Sequence, residues 1–352
     1  MRVLVIGGTG FIGLPLVHRL AQAGHQVAVF HRGRSAALLP AGVRLLHGDR
    51  NTLPAHAAEL RALRPEVVVD LVLGSERQAR ALMEVFRGAA ARVVALSSQD
   101  VYRACGVLHG LEPGPLEPVP LTEDSPLRTR LHTYPPPVIA ALKHVFAWLD
   151  EEYDKIPVER AVMAEPALPG TVLRLPMVYG PGDPLHRLFP VVKRVDDRRP
   201  ALLVDERMAG WRATRGYVEN VAAAVALAVE RDAARGRVYN VGEVAAWAEM
   251  EWTVRVARAA GFAGDVRAVP SALTPPHLAP PGNTDQHWTA STARIRGELG
   301  FVEPVGDAEA LARTIEWERA HPPARVEPGR LDYEAEDRVL AALWTAGGGR
   351  TA

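Results

Sequence analysis

The stretch Arg2-Val3-Leu4-Val5-Ile6-Gly7-Gly8-Thr9-Gly10-Phe11-Ile12-Gly13 decides how the rest of the chain is read. A short β-branched and aliphatic run ends in glycines, and Leu14–Ala23 then carries apolar residues at helical spacing. A strand that turns through glycines straight into a helix is where open α/β sheets hold a pyrophosphate. Gly7 permits the tight turn, Gly10 lets the backbone approach the phosphates, and Gly13 lets helix and strand pack closely. Phe11 and Ile12 offer backbone N–H donors at the helix start, and Thr9 completes the turn.

Outward from this junction, β-branched runs alternate with helical patterns. Val3–Ile6, Gln26–Phe30, Val43–His47, Val67–Leu71, Arg92–Leu96 and Thr171–Leu175 read as strands, and Leu14–Ala23, Leu53–Leu63 and Arg77–Arg87 as helices. Nearly continuous apolar strands between helices imply a parallel sheet covered on both faces. The expected fold is α/β, a doubly wound Rossmann-type sheet with a smaller C-terminal substrate-binding part. Prolines at 113, 115, 118, 120, 126 and 135 to 137 break the pattern between Cys105 and Pro137, an irregular excursion suited either to covering a site or to solvent. Glu219–Arg231 reads as an alanine-rich helix, Arg237–Val241 as a strand, and Glu249–Ala260, Ser291–Leu299, Asp307–His321 and Tyr333–Trp344 as helices. The expected division is a cofactor domain over 1–180, with 214–242 returning to it, a substrate part over 181–335, and a frayed tail over 345–352.

Composition narrows the classes. The 352 residues are 48% hydrophobic, enough for a substantial core, and Lys+Arg and Asp+Glu both number 41, so no overall field draws the protein to nucleic acid or anionic lipid. Val67–Leu73, the most apolar segment, is interrupted by Asp70 and is far shorter than a membrane helix, so no membrane partner is expected. Cys105 is the single cysteine and no Cys/His spacing resembles a zinc site, which points to the cytoplasm and to no metal.

The end of the second strand chooses the cofactor. An acidic residue there accepts ribose hydroxyls, whereas basic groups accommodate a 2′-phosphate. His31-Arg32-Gly33-Arg34 has no carboxylate and two arginines, so NADP is favoured over NAD.

The spacing of Gly7, Gly10 and Gly13 resembles that of the extended short-chain dehydrogenase/reductases, the NAD-dependent epimerase/dehydratase family. Gly48-Asp49-Arg50 resembles its adenine-contacting Gly-Asp, and Leu96-Ser97-Ser98-Gln99-Asp100-Val101-Tyr102 its active-site serine strand. Leu173-Arg174-Leu175-Pro176-Met177-Val178-Tyr179-Gly180-Pro181-Gly182 is similar to the segment lining the nicotinamide. Arg215-Gly216-Tyr217-Val218-Glu219-Asn220-Val221 resembles the stretch whose arginine contacts a nucleotide diphosphate. The resemblance implies cofactor contacts at Asp49, Arg50, Leu71, Val72, Pro176 and Val178, and substrate contacts at Asp100, Tyr102 and Arg215; Arg187, by its charge, suits either a substrate phosphate or a salt bridge to a neighbouring carboxylate. It also implies a nucleotide sugar or related polyol as substrate, and a homodimer.

In that family a tyrosine acts as acid/base, and a lysine four residues later lowers its pKa and binds the nicotinamide ribose. No Tyr-x-x-x-Lys is present here. Lys155 and Glu159 resemble the family's Lys-x-x-x-Glu, which puts Glu151 where tyrosine belongs and leaves Tyr153 two residues before Lys155. Pro157 suits a helix's first turn, so a helix capped by Asp154 would leave Tyr153 just outside it, able to swing inward. Ser98, Tyr153 and Lys155 are the candidate catalytic residues, and Asp100 or Tyr102 is a candidate substitute acid/base. Two function classes remain: an NAD(P)-dependent epimerase, dehydratase or reductase, and a regulatory or RNA-binding protein that kept the dinucleotide site but lost catalysis. Balanced charge weighs against RNA.

Overall fold

The computed structural model describes residues 1–33, 38–326 and 329–347. Its strands are β1 (Arg2–Ile6), β2 (Gln26–His31), β3 (Arg44–His47), β4 (Val67–Asp70), β5 (Arg92–Ser98), β6 (Gly170–Leu175), β7 (Met177–Tyr179), β8 (Ala201–Asp205), β9 (Arg215–Tyr217), β10 (Val238–Asn240) and β11 (Asp265–Val269). Among the described residues, seven of these form one sheet in the order β10-β6-β5-β4-β1-β2-β3, and every pair in it is parallel. This is the doubly wound Rossmann-type arrangement expected from the strand pattern. The order reverses at β1, so β1 and β4 flank the switch point where such sheets bind ligands beyond the strands' C-terminal ends.

Burial on both faces explains why the strands read as continuous apolar runs. Val3, Val5 and Val69 look into one core with the helices Gly13–Gln22 and Val218–Glu230, while Leu4, Ile6 and Val68 look into the other with Glu76–Phe86 and Lys155–Met163. Each such side chain contributes about 1.5–3 kcal/mol on full burial. Alanines 222, 223, 224, 226 and 228 let Val218–Glu230 lie close against Gly13–Gln22. Arg92 of β5 reaches under that helix and donates to the carbonyls of Val229 and Arg231, complementing its negative C-terminal end.

Several segments differ from the sequence pattern. The expected helix over Leu53–Leu63 begins as a 3-10 stretch, Arg50–His56, and becomes α-helical only over Ala57–Ala62. Pro54 lacks a backbone N–H, and Asp49 holds the Asn51 amide in a tight turn. The proline-rich excursion contains the end of the helix Arg103–Leu108 and runs into a helix over Pro136–Val145, where prolines occupy the first turn. The pairs β7/β9 and β8/β11 were not anticipated, because three to five residues show too little periodicity. The last helix, Tyr333–Gly347, extends into the stretch expected to fray, and residues 348–352 lie outside the described residues. No helix among the described residues is long and apolar enough to cross a membrane.

Candidate active site

Twelve of the expected cofactor residues, Gly7, Thr9, Gly10, Phe11, Ile12, Gly13, His31, Arg32, Asp49, Arg50, Leu71 and Val72, line one groove of about 370 Å³ at the sheet's switch point. The glycine turn is built for close approach. Gly7 has φ +84°, and at Gly13 a Cβ would lie 2.4 Å from the Gly7 carbonyl oxygen. A Cβ at Gly10 would instead find its nearest neighbour, the same oxygen, at an ordinary 3.5 Å. Gly10 is therefore not demanded by the protein's own packing, which fits a cradle for a ligand pressed against the backbone.

At the ribose end, Arg32 donates to the Ala147 carbonyl at 3.0 Å, tying the second strand to the far wall. That wall, Val145–Trp148, follows the helix Pro136–Val145, and Gln78 Nε2 holds the Trp148 carbonyl at 3.0 Å. Burial, then the neighbouring His47, lowers the pKa of His31 and favours its neutral form. Arg34, the other expected basic contact, lies outside the described residues.

Some expected cofactor contacts need correction. Arg50 borders the groove, but its guanidinium turns inward to Asp70 at 3.0 Å and to the Gln78 carbonyl at 2.6 Å, bracing the ends of β4 and of its neighbouring helix. Val178 is buried in the core, and Pro176 packs near Gly216 and Gly242; neither lines the groove.

Ser98 is the last residue of β5, and Lys155 reaches the same strand at the Leu96 carbonyl. Ser98 Oγ accepts the Asp100 amide at 3.2 Å, so it also caps the following turn. The helix Lys155–Met163 begins as the position of Pro157 suggests: Asp154 is its N-cap, accepting from the Ile156 amide at 2.9 Å, and Tyr153 stands just before it. Lys155 is buried, with Nζ donating to the carbonyls of Leu73 and Leu96 and lying 5.4 Å from the Trp148 ring centroid and 5.8 Å from that of Tyr153. Burial pulls its ammonium down to about 8. Tyr153 is half-buried, and burial followed by the carboxylates of Asp100 and Asp154 pushes its phenol well up. Glu151 has a 79% exposed side chain paired with Lys143, which takes it out of the chemistry. Glu159 holds Ser97 Oγ at 2.6 Å and the Arg174 guanidinium at 2.7 Å, locking β5, β6 and the helix together.

Tyr102, expected to contact substrate, is a correction. It is fully buried, donating to Asn240 Oδ1 at 2.7 Å and accepting from Arg174 at 3.0 Å, so it belongs to the core. Sequence reading also missed Tyr134, whose hydroxyl donates to Asp100 Oδ2 at 3.0 Å and whose ring meets that of Tyr153 edge-on at 5.4 Å. No motif marks Tyr134; the one local signal is the run Pro135-Pro136-Pro137 that fixes the chain immediately after it.

A second cavity of about 440 Å³ brings Arg187 and Arg215 together. Its walls include Met177, Tyr179, Trp211, Trp252 and Trp288, and the Trp288 indole donates to the Gln99 carbonyl at 3.1 Å, one residue past Ser98. Arg215 is buried, ion-paired with Glu249 and stacked over Trp252 at 4.6 Å, while Arg187 is held by Asp183 at 2.6 Å. Tyr179 donates to Glu243 at 2.9 Å, and burial pushes that carboxyl up to about 7. His186 packs away from this cavity, bonding Glu318 at 2.7 Å and stacking on Trp317.

The sequence profile of the family described as "NAD dependent epimerase/dehydratase family" matches residues 3–242. A "2'-dehydrokanamycin reductase" from Streptomyces kanamyceticus is 28% identical over 99% of this chain and 86% of its own length. A "3-diazoavenalumate denitrifying reductase" from a Streptomyces species is 32% identical over 94% of this chain and 100% of its own. Among solved structures, a putative epimerase from Burkholderia cenocepacia superposes with a TM-score of 0.67 at 21% identity, covering 91% of this chain and 98% of that one. A UDP-glucose 4-epimerase from Thermotoga maritima, solved with UDP-glucose, gives 0.63 at 18% identity over 91% and 99% of the two chains. The glycine turn, the serine-bearing strand and the lysine-led helix thus sit on a shared fold, and this chain belongs to the NAD dependent epimerase/dehydratase family.

Proposed function

We propose that the protein is an NADP(H)-dependent reductase of a carbonyl on a ring-bearing small molecule. The observation that carries this reading is the line of contacts from the glycine groove through Trp148 to Lys155 and Tyr153, with Lys155 also bound to the Leu96 carbonyl of the strand that Ser98 ends, and a tryptophan-walled cavity linked to that strand's end through Trp288 and Gln99. Both full-length relatives are named reductases, and neither name contains a nucleotide. When bound, the nicotinamide would supply or accept the hydride. Thr9, Phe11 and Ile12 would hold the pyrophosphate through main-chain amides, Arg32 the 2′-phosphate, Asp49 the adenine, and Lys155 the nicotinamide ribose. Ser98 and Tyr153 would hydrogen-bond the carbonyl oxygen, for Tyr153 Oη makes no hydrogen bond among the described residues.

A nucleotide sugar is the second reading, favoured by the place of Arg215 in the chain and by solved relatives that bind UDP-glucose or UDP-glucuronic acid with NAD. Against it, Arg215 and Arg187 already spend their charge on Glu249 and Asp183, and a diphosphate would have to displace those carboxylates. We retain 1–180 with 214–242 as the cofactor half, 181–335 as the substrate half, the cytoplasm as compartment, and a homodimer as assembly. The test is to mix the protein with NADPH and follow nicotinamide absorbance against ring ketones and nucleotide sugars. Oxidation with a ring ketone and none with nucleotide sugars is expected. Turnover of nucleotide sugars alone would reverse the choice, and no turnover with any acceptor would leave the regulatory class.

A further inference from the structure

A carbonyl reductase needs an acid as well as a hydride, and the residue standing where the family keeps its tyrosine is a surface glutamate tied to Lys143. The proline-rich excursion brings another hydroxyl to the same place. Tyr134 Oη donates to Asp100 Oδ2 at 3.0 Å, and its half-buried ring packs edge-on against Tyr153, itself beside Lys155.

Asp100 is held in place by its own main chain: its amide donates to Ser98 Oγ at 3.2 Å, and its carbonyl accepts from Arg128 Nε at 2.6 Å. The side chain is only 5% exposed, and its second oxygen, Oδ1, is buried without any hydrogen-bond partner among the described residues. A carboxylate in that position leaves strong acceptor capacity unused, whereas a carboxylic acid leaves much less.

We propose that Asp100 and Tyr134 form a proton relay, in which Tyr134 protonates the substrate's carbonyl oxygen and Asp100 restores the Tyr134 proton. The relay rests on the reductive reading above. Its balance is simple. The carbonyl π bond opens as hydride from the nicotinamide reaches carbon, the Tyr134 O–H proton goes to oxygen, and the Asp100 O–H proton goes to Tyr134 Oη. Asp100 is left as a carboxylate and regains its proton from solvent. Protonated Asp100 also reverses the hydrogen bond, donating to Tyr134 Oη and freeing the phenolic hydrogen for the carbonyl oxygen.

The groups around Asp100 suit this cycle. Burial raises its pKa above the ordinary value, while Arg128, Tyr134 and Lys155 pull it back and Asp154 adds to the rise. Arg128 and Lys155 therefore face the carboxylate formed at the end of each turnover. On the neighbouring helix Arg103–Leu108 and its cap, burial pushes the Cys105 thiol up and the His109 imidazole down, so neither competes as a charged group near neutral pH. Tyr153 adds a phenol whose own ionisation is suppressed.

In the reductive direction Asp100 must start protonated, so the wild-type rate falls as pH rises through a limb above the ordinary aspartate range. Asp100→Asn should erase that limb and lower kcat roughly 10²-fold, and Tyr134→Phe should lower kcat by about as much with cofactor affinity kept within about twofold. A purely structural role would alter folding or KM and leave the limb in place. Independently of turnover, infrared titration of the protein alone should show a protonated-carboxyl band that follows the same limb and is missing in Asp100→Asn. Persistence of limb and band in Asp100→Asn, or wild-type kcat and pH profile in Tyr134→Phe, overturns the relay. Failure of the wild-type protein to reduce any carbonyl would instead sink the reductive reading.

Discussion

Gly10 and Gly13 separate what the protein needs to fold from what it needs to bind. An alanine at 13 would drive Cβ to 2.4 Å from the Gly7 carbonyl oxygen, so Gly13→Ala should both destabilise the protein and abolish cofactor binding. An alanine at 10 meets nothing closer than 3.5 Å, so Gly10→Ala should fold with stability within about 0.5 kcal/mol of wild type. Its methyl group would nevertheless occupy the face reserved for the pyrophosphate. Thermal melts and dinucleotide titrations on the two variants distinguish these outcomes. Arg32→Ala should weaken NADP binding by about 10-fold or more while leaving NAD unchanged, as expected for loss of one charge-assisted phosphate contact; equal loss for both dinucleotides would remove the 2′-phosphate role. Lys155, with its ammonium brought down to about 8, keeps its charge below that pH and loses it above. Cofactor affinity should therefore be flat in mildly acidic solution and weaken as pH rises through about 8, and Lys155→Met should flatten that dependence.

At the scale of elements, the start of the helix Lys155–Met163 matters most. Proline at its third position and aspartate at its cap leave Tyr153 off the helix, where its hydroxyl is not constrained by helical spacing to Lys155. Tyr153→Phe should cut turnover with cofactor affinity unchanged, measured in the same assay; full turnover would remove Tyr153 from the site. Proline placement and the cap made this arrangement legible in the sequence, as glycine spacing did for the first turn. Tyr102 misled for the opposite reason: it follows the serine strand in the chain, but Asn240 and Arg174 draw its hydroxyl into the core. Tyr134 left no trace because its partner lies 34 residues away and the segment between them has no period to follow. Long-range ion pairs such as Arg215–Glu249 were equally hidden, since pairing across elements is a property of the packed molecule.

Across the whole molecule, the parallel sheet was readable from its apolar runs, while the attachment of the last helix, Tyr333–Gly347, to the C-terminal half was not. That attachment depends on Glu336 of the last helix, whose buried carboxylate takes Arg194 Nε at 3.1 Å, His277 Nε2 at 2.9 Å and Arg199 at 3.9 Å. Three potential cations converge on one acid from separate segments. Glu336→Ala should cost about 3 kcal/mol or more, because it strands buried positive charge, and chemical denaturation would measure it. A loss under about 1 kcal/mol would show that water or other acids compensate.

Calorimetric titration of NADPH into the wild-type protein and into Gly10→Ala tests the central claim, that main-chain amides of the first strand-to-helix turn hold a dinucleotide pyrophosphate. One site of micromolar affinity in the wild type, weakened about 100-fold or more in a Gly10→Ala protein that still melts normally, is the expected result. No heat from the wild type, or equal binding by the two proteins, would contradict it.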